Sequence, residues 1–294
     1  MLKFGVWLFV CLACTSASTL VSGQQPGPTA PLKAVSPTPP VTRTWQVEGV
    51  ARHGLLYVPE AAKSMPAPLV FCFHGHGGNT RNAARSFRLH EVWPEAIVVY
   101  LQGLNTPGQL TDPEGKKPGW QKSAGDQGDR DLKFFDAVLK SIRQDYRVDD
   151  RRVYSMGHSN GGGFTYLLWS ERGSVFAALA PSGSAALRLR NELPPKPVLH
   201  IAGRNDPLVK FSWQQLMIDR LKTAQKCGDG RPWQGGATEY PAADGASVFT
   251  LVTDEGHKFP ARAPQLIAEF FRKHAKPDNT TSGQSTNLSL IHIS

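Results

Sequence analysis

The chain has 294 residues, 40% of them hydrophobic and 19% charged, with a formal net charge of +9. These values suit a globular protein and exclude disordered, collagenous and disulfide-scaffold classes, and this length holds one large core more readily than two small ones. The basic residues are dispersed, with no RNP-type aromatic pattern and no zinc-finger spacing, so the charge describes a solvated surface and nucleic acid is not an expected partner.

The first residues, "MLK", carry a positive charge, "FGVWLFVCLAC" is an apolar run too short to span a bilayer, and "TSASTLVSG" supplies small residues for cleavage. This is the pattern of an export signal over residues 1–23, with cleavage after Ala17 or Gly23. A secreted or periplasmic protein is expected. Cys14 after Leu12-Ala13 opens a lipoprotein alternative, although Cys11 stands where such boxes carry Leu, and a membrane is a partner only if Cys14 is lipidated. Removing residues 1–23 takes Lys3 alone among the charged groups, leaving 32 basic against 24 acidic residues, +8. It also leaves two cysteines. Cys72 lies in an apolar run and Cys227 far from it in sequence, which reads as two free thiols rather than a disulfide.

Residues 24–43, "QQPGPTAPLKAVSPTPPVTR", cannot bury a core and read as an extended linker. From 44 to 276 the segments alternate. "TWQVEGVARHGLLYVPE" predicts two antiparallel strands, "PLVFCF" a buried strand ending in "HGHGGN", "TRNAARSFRLHEVW" a helix, and "AIVVYLQG" a strand. A Gly/Pro loop runs from Leu104 to Gly128. "DRDLKFFDAVLKSIRQDY" places apolar residues at helical spacing behind an acidic first turn. "RRVYSM" is a strand, "NGGGFTYLLWSER" a helix, "VFAALAPSG" and "KPVLHIAG" strands, "SWQQLMIDRLKTAQK" a helix, "ASVFTLVT" a strand and "APQLIAEFFRKHA" a closing helix. Strand–helix alternation with β-branched runs predicts an α/β protein with a mostly parallel sheet covered on both faces. The tail, 277–294, fits no element and reads as disordered or artefactual; its two Asn-x-Ser/Thr sequences matter only in a eukaryotic secretory path.

In open α/β sheets, sites form at the carboxyl ends of strands. Gly157-His158-Ser159-Asn160-Gly161 follows a strand and precedes a helix. A sharp turn there lifts the Ser159 hydroxyl above the sheet, and side chains at positions 157 and 161 would collide. The competing reading is a Gly-rich turn with a surface serine. Gly162 and Gly163 are assigned to close packing of helix on sheet. "HGHGGN" at an earlier strand end can aim the backbone N–H of His76 at an acyl oxyanion beside the N–H of Asn160. That role leaves the His76 side chain incidental. His74 and His76 lack further ligands at metal spacing, so neither metal nor cofactor is expected. Asp206 in "VLHIAGRNDPLV" stands in a loop after a strand, where an acid can orient a histidine; a solvent-facing turn is the alternative. Of the histidines after Asp206, His274 lies late on a helix and His292 in the tail, which leaves His257. Trp120 in the long loop is a candidate aromatic platform in a substrate cleft, or equally a residue packed over the loop's own core.

The blocks "VYSMGHSNGGG", "HIAGRNDPLV" and "GHKFP" resemble those of secreted esterases of the polyhydroxybutyrate-depolymerase and feruloyl/acetylxylan-esterase group, within the α/β-hydrolase superfamily. The likeness runs from about Thr44 to Lys276, and includes the "D-x-x-F" pattern at Asp131 to Phe134. It implies an α/β-hydrolase fold, Ser159, Asp206 and His257 as catalytic triad, and the His76 and Asn160 N–H groups as oxyanion hole. Ala202-Gly203-Arg204 replaces the group's usual His-Gly-Thr, and Phe259 its Trp. The expected reaction is hydrolysis of a carboxylic ester, soluble or polymeric, by a monomer. Feruloyl or acetyl esters of plant polysaccharide come first, polyhydroxyalkanoate polyesters second. A serine peptidase and a non-catalytic binding protein of the same fold are the alternatives.

Overall fold

The protein is described as a computed structural model, covering residue 1 and residues 39–278 apart from 188 and 190. The expected signal (1–23), Cys14, residues 24–38 and the tail beyond Asp278 lie outside the described residues. Residues 1–35 and 36–294 form separate units, and the fold is that of the second. Its elements in chain order are β1 (Val41–Val47), β2 (Val50–Tyr57), β3 (Ala67–Phe73), α1 (Thr80–Phe87), α2 (Leu89–Val92), β4 (Ile97–Leu101), β5 (Leu104–Asn105), β6 (Pro118–Gly119), α3 (Arg130–Asp145), β7 (Val148–His158), α4 (Asn160–Arg172), β8 (Ala178–Ser182), β9 (Val198–Gly203), α5 (Phe211–Ala224), β10 (Arg231–Pro232), β11 (Thr238–Tyr240), β12 (Val248–Thr253) and α6 (Ala263–Lys273).

Ten strands form one sheet in the order β1-β2-β4-β3-β7-β8-β9-β12-β11-β10. The six central strands, β4 to β12, are parallel, and antiparallel pairs close both edges. All seven residues of β3 are buried, because alternate side chains enter two different cores. Leu69, Phe71 and Phe73 join Phe135, Phe164 and Trp169 on one face, while Val70 and Cys72 join Phe87, Tyr154 and Phe271 on the other. A continuous apolar run without alternation is the sequence form of a strand covered on both faces. Cys72 and Cys227 are both free thiols.

Three local expectations change. Strand β1 begins at Val41 and pairs with Leu56, so the last three residues of the stretch read as linker belong to the sheet. The single helix read over "TRNAARSFRLHEVW" is two, broken at Arg88, which is left-handed (φ 46°, ψ 23°). Strands β10 and β11 extend the far edge of the sheet although their sequence carries no period-2 pattern. Among the described residues, no helix is long and apolar enough to cross a membrane.

Candidate active site

Strand β7 ends at His158 and helix α4 begins at Asn160, so Ser159 alone makes the turn. Its φ of 57° and ψ of −122° are a strained combination for a residue with a Cβ. Two backbone bonds hold it there: Ser159 N–H to Ser182 O at 2.8 Å, and Gly163 N–H to Ser159 O at 2.9 Å. The flanking glycines are spatially required. A Cβ on Gly157 would stand 2.3 Å from Gly161 O, and one on Gly161 2.1 Å from Phe73 O. Gly162 also approaches the sheet, with a Cβ position 2.7 Å from Ser182 O. Gly163 differs from its expected packing role: its Cβ would meet nothing within 4 Å, because it faces away from the strands.

Asp206 and His257 come from the ends of β9 and β12, adjacent parallel strands. The loops after them touch through backbone: a Cβ on Gly203 would lie 2.6 Å from Glu255 O, and Asn205 N–H donates to Glu255 O at 3.3 Å; the Asn205 side chain adds a bond from Nδ2 to Asp254 O at 2.6 Å. Asp206 is buried and does not face solvent. Its Oδ1 accepts the N–H groups of Leu208 (2.9 Å) and Val209 (2.8 Å), and its Oδ2 lies 2.7 Å from His257 Nδ1. His257 Nε2 lies 2.8 Å from Ser159 Oγ. A carboxylate only accepts, so Nδ1 carries the proton and Nε2 of the neutral ring accepts from the serine hydroxyl. The structure thus brings Ser159, His257 and Asp206 into one hydrogen-bonded line in which the serine proton has an acceptor and the resulting imidazolium a counter-charge.

The "HGHGGN" loop lies against the turn, with the Cβ position of Gly75 3.4 Å from Ser159 Cβ. Gly77 N–H is committed to Pro118 O at 2.7 Å and Gly78 N–H to Gly75 O at 2.9 Å. His74 is buried and structural: its Nδ1–H donates to Gly75 O at 2.7 Å, and its Nε2 accepts Gly103 N–H at 3.0 Å. Burial lowers its pKa to about 4, which keeps the ring neutral, and with both nitrogens engaged it has no lone pair for a metal. The His76 side chain is not incidental. Its Nε2 lies 3.0 Å from Asp112 Oδ2, and the same carboxylate accepts Lys116 and Lys117 N–H groups, fastening the long loop over the site.

Trp120 does not offer a platform in a cleft. It is fully buried, stacked on Phe164 with centroids 5.2 Å apart, and donates Nε1–H to His74 O at 2.9 Å. Its backbone is gripped by the Asn160 side chain, which accepts Trp120 N–H at 2.7 Å and donates to Trp120 O at 3.1 Å. Trp120 therefore braces both the "HGHGGN" loop and the start of α4.

Sequence reading missed two further neighbours. His158 packs its ring 5.0 Å from the His257 ring and its Nδ1 3.1 Å from Ser182 Oγ. Burial, then the adjacent His257, pushes its pKa down to about 3, so it stays neutral beside the His257 imidazole. Gln214, inside what reads as an ordinary amphipathic helix, approaches Asp206 Oδ2 with its Nε2 at 3.3 Å. Only the position of His158 within G-x-S-x-G signals its place; no motif marks Gln214.

Comparison with known proteins agrees with this geometry. No family model matches the chain. It is 29% identical over 244 residues to feruloyl esterase C of Emericella nidulans, covering 77% of this chain and 85% of that one. It is 32% identical over 149 residues to a protein named "Probable feruloyl esterase C" from Aspergillus clavatus, a match spanning 49% of this chain and half the length of that relative. Among solved structures, the acetyl xylan esterase from Aspergillus awamori superimposes with a TM-score of 0.56 at 15% identity, over 79% of this chain and 99% of that one. The chain has the α/β-hydrolase fold, and its relatives are esterases.

Proposed function

We propose that this protein, an α/β-hydrolase-fold relative of the esterases, is a serine hydrolase that cleaves carboxylic esters through an acyl-enzyme. The observation that carries the proposal is the line Ser159 Oγ–His257 Nε2–Asp206, at 2.8 and 2.7 Å, mounted on a strained turn. Ser159 Oγ attacks the ester carbonyl carbon while His257 Nε2 takes its proton. The imidazolium, held by Asp206, then protonates the leaving alkoxide, so the alcohol departs and the acyl group stays on Ser159. Water, deprotonated by the same His257, attacks the acyl-enzyme and releases the carboxylic acid. The backbone N–H groups of His76 and Asn160 are assigned to the tetrahedral oxyanion, the second at the N-terminus of α4, where the helix dipole favours negative charge.

Feruloyl or acetyl esters carried on plant polysaccharide are the substrate class, supported by the names of the relatives, feruloyl esterase C among them. Residues 1–23 are assigned to export, which places the enzyme where such polymers occur. Incubating the protein and Ser159→Ala with methyl ferulate, p-nitrophenyl acetate, polyhydroxybutyrate and a peptide amide tests the proposal. Turnover of the first two by the wild type alone is expected. Equal rates for the two proteins refute the nucleophile, amide cleavage without ester cleavage makes the enzyme a peptidase, and turnover confined to the polyester replaces the substrate class.

A further inference from the structure

Behind Asp206 the structure holds a run of buried polar side chains that the acyl-transfer chemistry above does not use. Gln214 on α5, His200 on β9 and Tyr166 on α4 are all wholly inaccessible to solvent. Buried polar groups are costly unless each finds a partner, so three together on three elements require an explanation.

The orientation of Gln214 can be worked out from partner chemistry. The Gln214 amide nitrogen lies 2.7 Å from Val209 O and 3.3 Å from Asp206 Oδ2. Both are acceptors only, so the NH2 group faces them and Oε1 points the other way. Gln214 Oε1 and His200 Nε2 are each buried with no hydrogen-bond partner, and His200 Nδ1 lies 2.6 Å from the Tyr166 hydroxyl. Burial holds the pKa of His200 at about 4, so its ring stays neutral. The direction that the partners fix is that of Gln214, whose donors face Val209 O and Asp206.

We infer that Gln214 is a positioning residue for Asp206, its amide N–H group facing the carboxylate. The inference rests on the catalytic reading of Ser159, His257 and Asp206 given above. Its content is geometric. The two backbone N–H groups on Oδ1 anchor one side of the carboxylate, and Gln214 fixes the other, so that Oδ2 stays in line with His257 Nδ1. Val209 O takes the second amide hydrogen, tying the clamp to the loop that bears Asp206.

The test uses Gln214→Met, which keeps the volume and removes the donors, and Gln214→Glu, which keeps the shape and turns an acceptor towards Asp206. Rates on p-nitrophenyl acetate are normalised to active sites counted with a serine-reactive phosphonate, so that loss of folded protein is not read as loss of kcat. The expected result is a fall in kcat of about ten- to a hundredfold for both Gln214 variants with KM within about twofold. The far-downfield proton resonance of the His257–Asp206 hydrogen bond should move in the Gln214 variants, which a residue with a purely structural role would not cause. If the wild type labels and needs Ser159 for turnover, while all folded variants keep kcat within twofold and that resonance in place, the inference is overturned alone. If the wild type neither labels nor turns over, the catalytic reading fails and this inference falls with it.

Discussion

Lowering the pH from 7 to 5 should remove much of the stability of this fold, through histidines that have no catalytic duty. His74 and His200 are buried, His158 is half-buried, and all three are neutral, with pKa values held down to about 4, about 4 and about 3 from an ordinary 6.5. In each case the unfolded chain binds a proton more readily than the folded one. Stability therefore is complete above about pH 6.5 and declines as pH falls towards the folded-state value, by about 1.4 kcal/mol per pH unit for each histidine. Between pH 7 and pH 5 each contributes a loss of about 2 kcal/mol, so the three together approach about 6 kcal/mol, against a total of about 5–15 kcal/mol for an ordinary domain. His90 and His274 are shifted down by burial as well and act with the same sign. Urea unfolding followed by tryptophan fluorescence at pH 7, 6 and 5, at fixed ionic strength, measures the slope. His74→Gln should remove about a third of the slope contributed by the three, whatever it does to stability at pH 7. An unfolding free energy that changes by less than about 1 kcal/mol across this range would refute the reasoning.

Four substitution experiments address the packing around the site. Gly161→Ala forces a methyl group to 2.1 Å from Phe73 O and should cost more than about 3 kcal/mol or abolish soluble expression. Gly163→Ala, in open space on the same helix, should raise stability by roughly 0.5–1 kcal/mol in the same urea assay. Trp120→Phe removes the donor to His74 O and should cost about 1–3 kcal/mol, while the ratio of kcat/KM on methyl ferulate to that on p-nitrophenyl acetate stays within twofold, since the ring is buried. Arg52→Met breaks the 2.7 Å ion pair with the wholly buried Asp131 and should cost about 3–5 kcal/mol; adding Asp131→Leu should recover most of it, as judged by thermal melts.

How far the molecule can be read in its sequence follows the range of the interactions. The strand β3 is legible because its core contacts depend only on local apolar character: seven apolar residues in a row have no solvent face to offer. The turn at Ser159 is legible through its G-x-S-x-G spacing, although only Gly157 answers a local collision, with Gly161 O, while Gly161 answers one with Phe73 O on the distant strand β3. Trp120 was half legible: the sequence admits a platform for a ligand and a packed ring equally, and the burial that decides for the second depends on bonds to His74 and Asn160, 46 and 40 residues distant. Gln214 is a similar case, since its helix carries an ordinary apolar stripe and the meaning of one polar position on it appears only once Asp206 is placed beside it. The helix break at Arg88 requires a left-handed residue without glycine or asparagine, so composition offers no sign of it.

These ranges bear on why the site depends so little on side-chain electrostatics for its assembly. Ser159 is held by backbone bonds to Ser182 and Gly163, and Asp206 by the N–H groups of Leu208 and Val209. The loop carrying His257 meets the Asp206 loop through the missing Cβ of Gly203. Backbone contacts of this kind tolerate wide exchange of neighbouring side chains, provided the few glycines and the Asn160–Trp120 clamp remain. Substitutions such as Ala202-Gly203-Arg204 and Phe259 can therefore accumulate beside the three residues without displacing them. Phe259 illustrates the point: it packs against Phe87 at 4.7 Å and His158 at 6.0 Å, supporting the wall behind His257 with an aromatic ring and no polar bond. The determinants of which ester fits are then to be sought on the loops that face the Ser159 hydroxyl rather than among the groups that hold it.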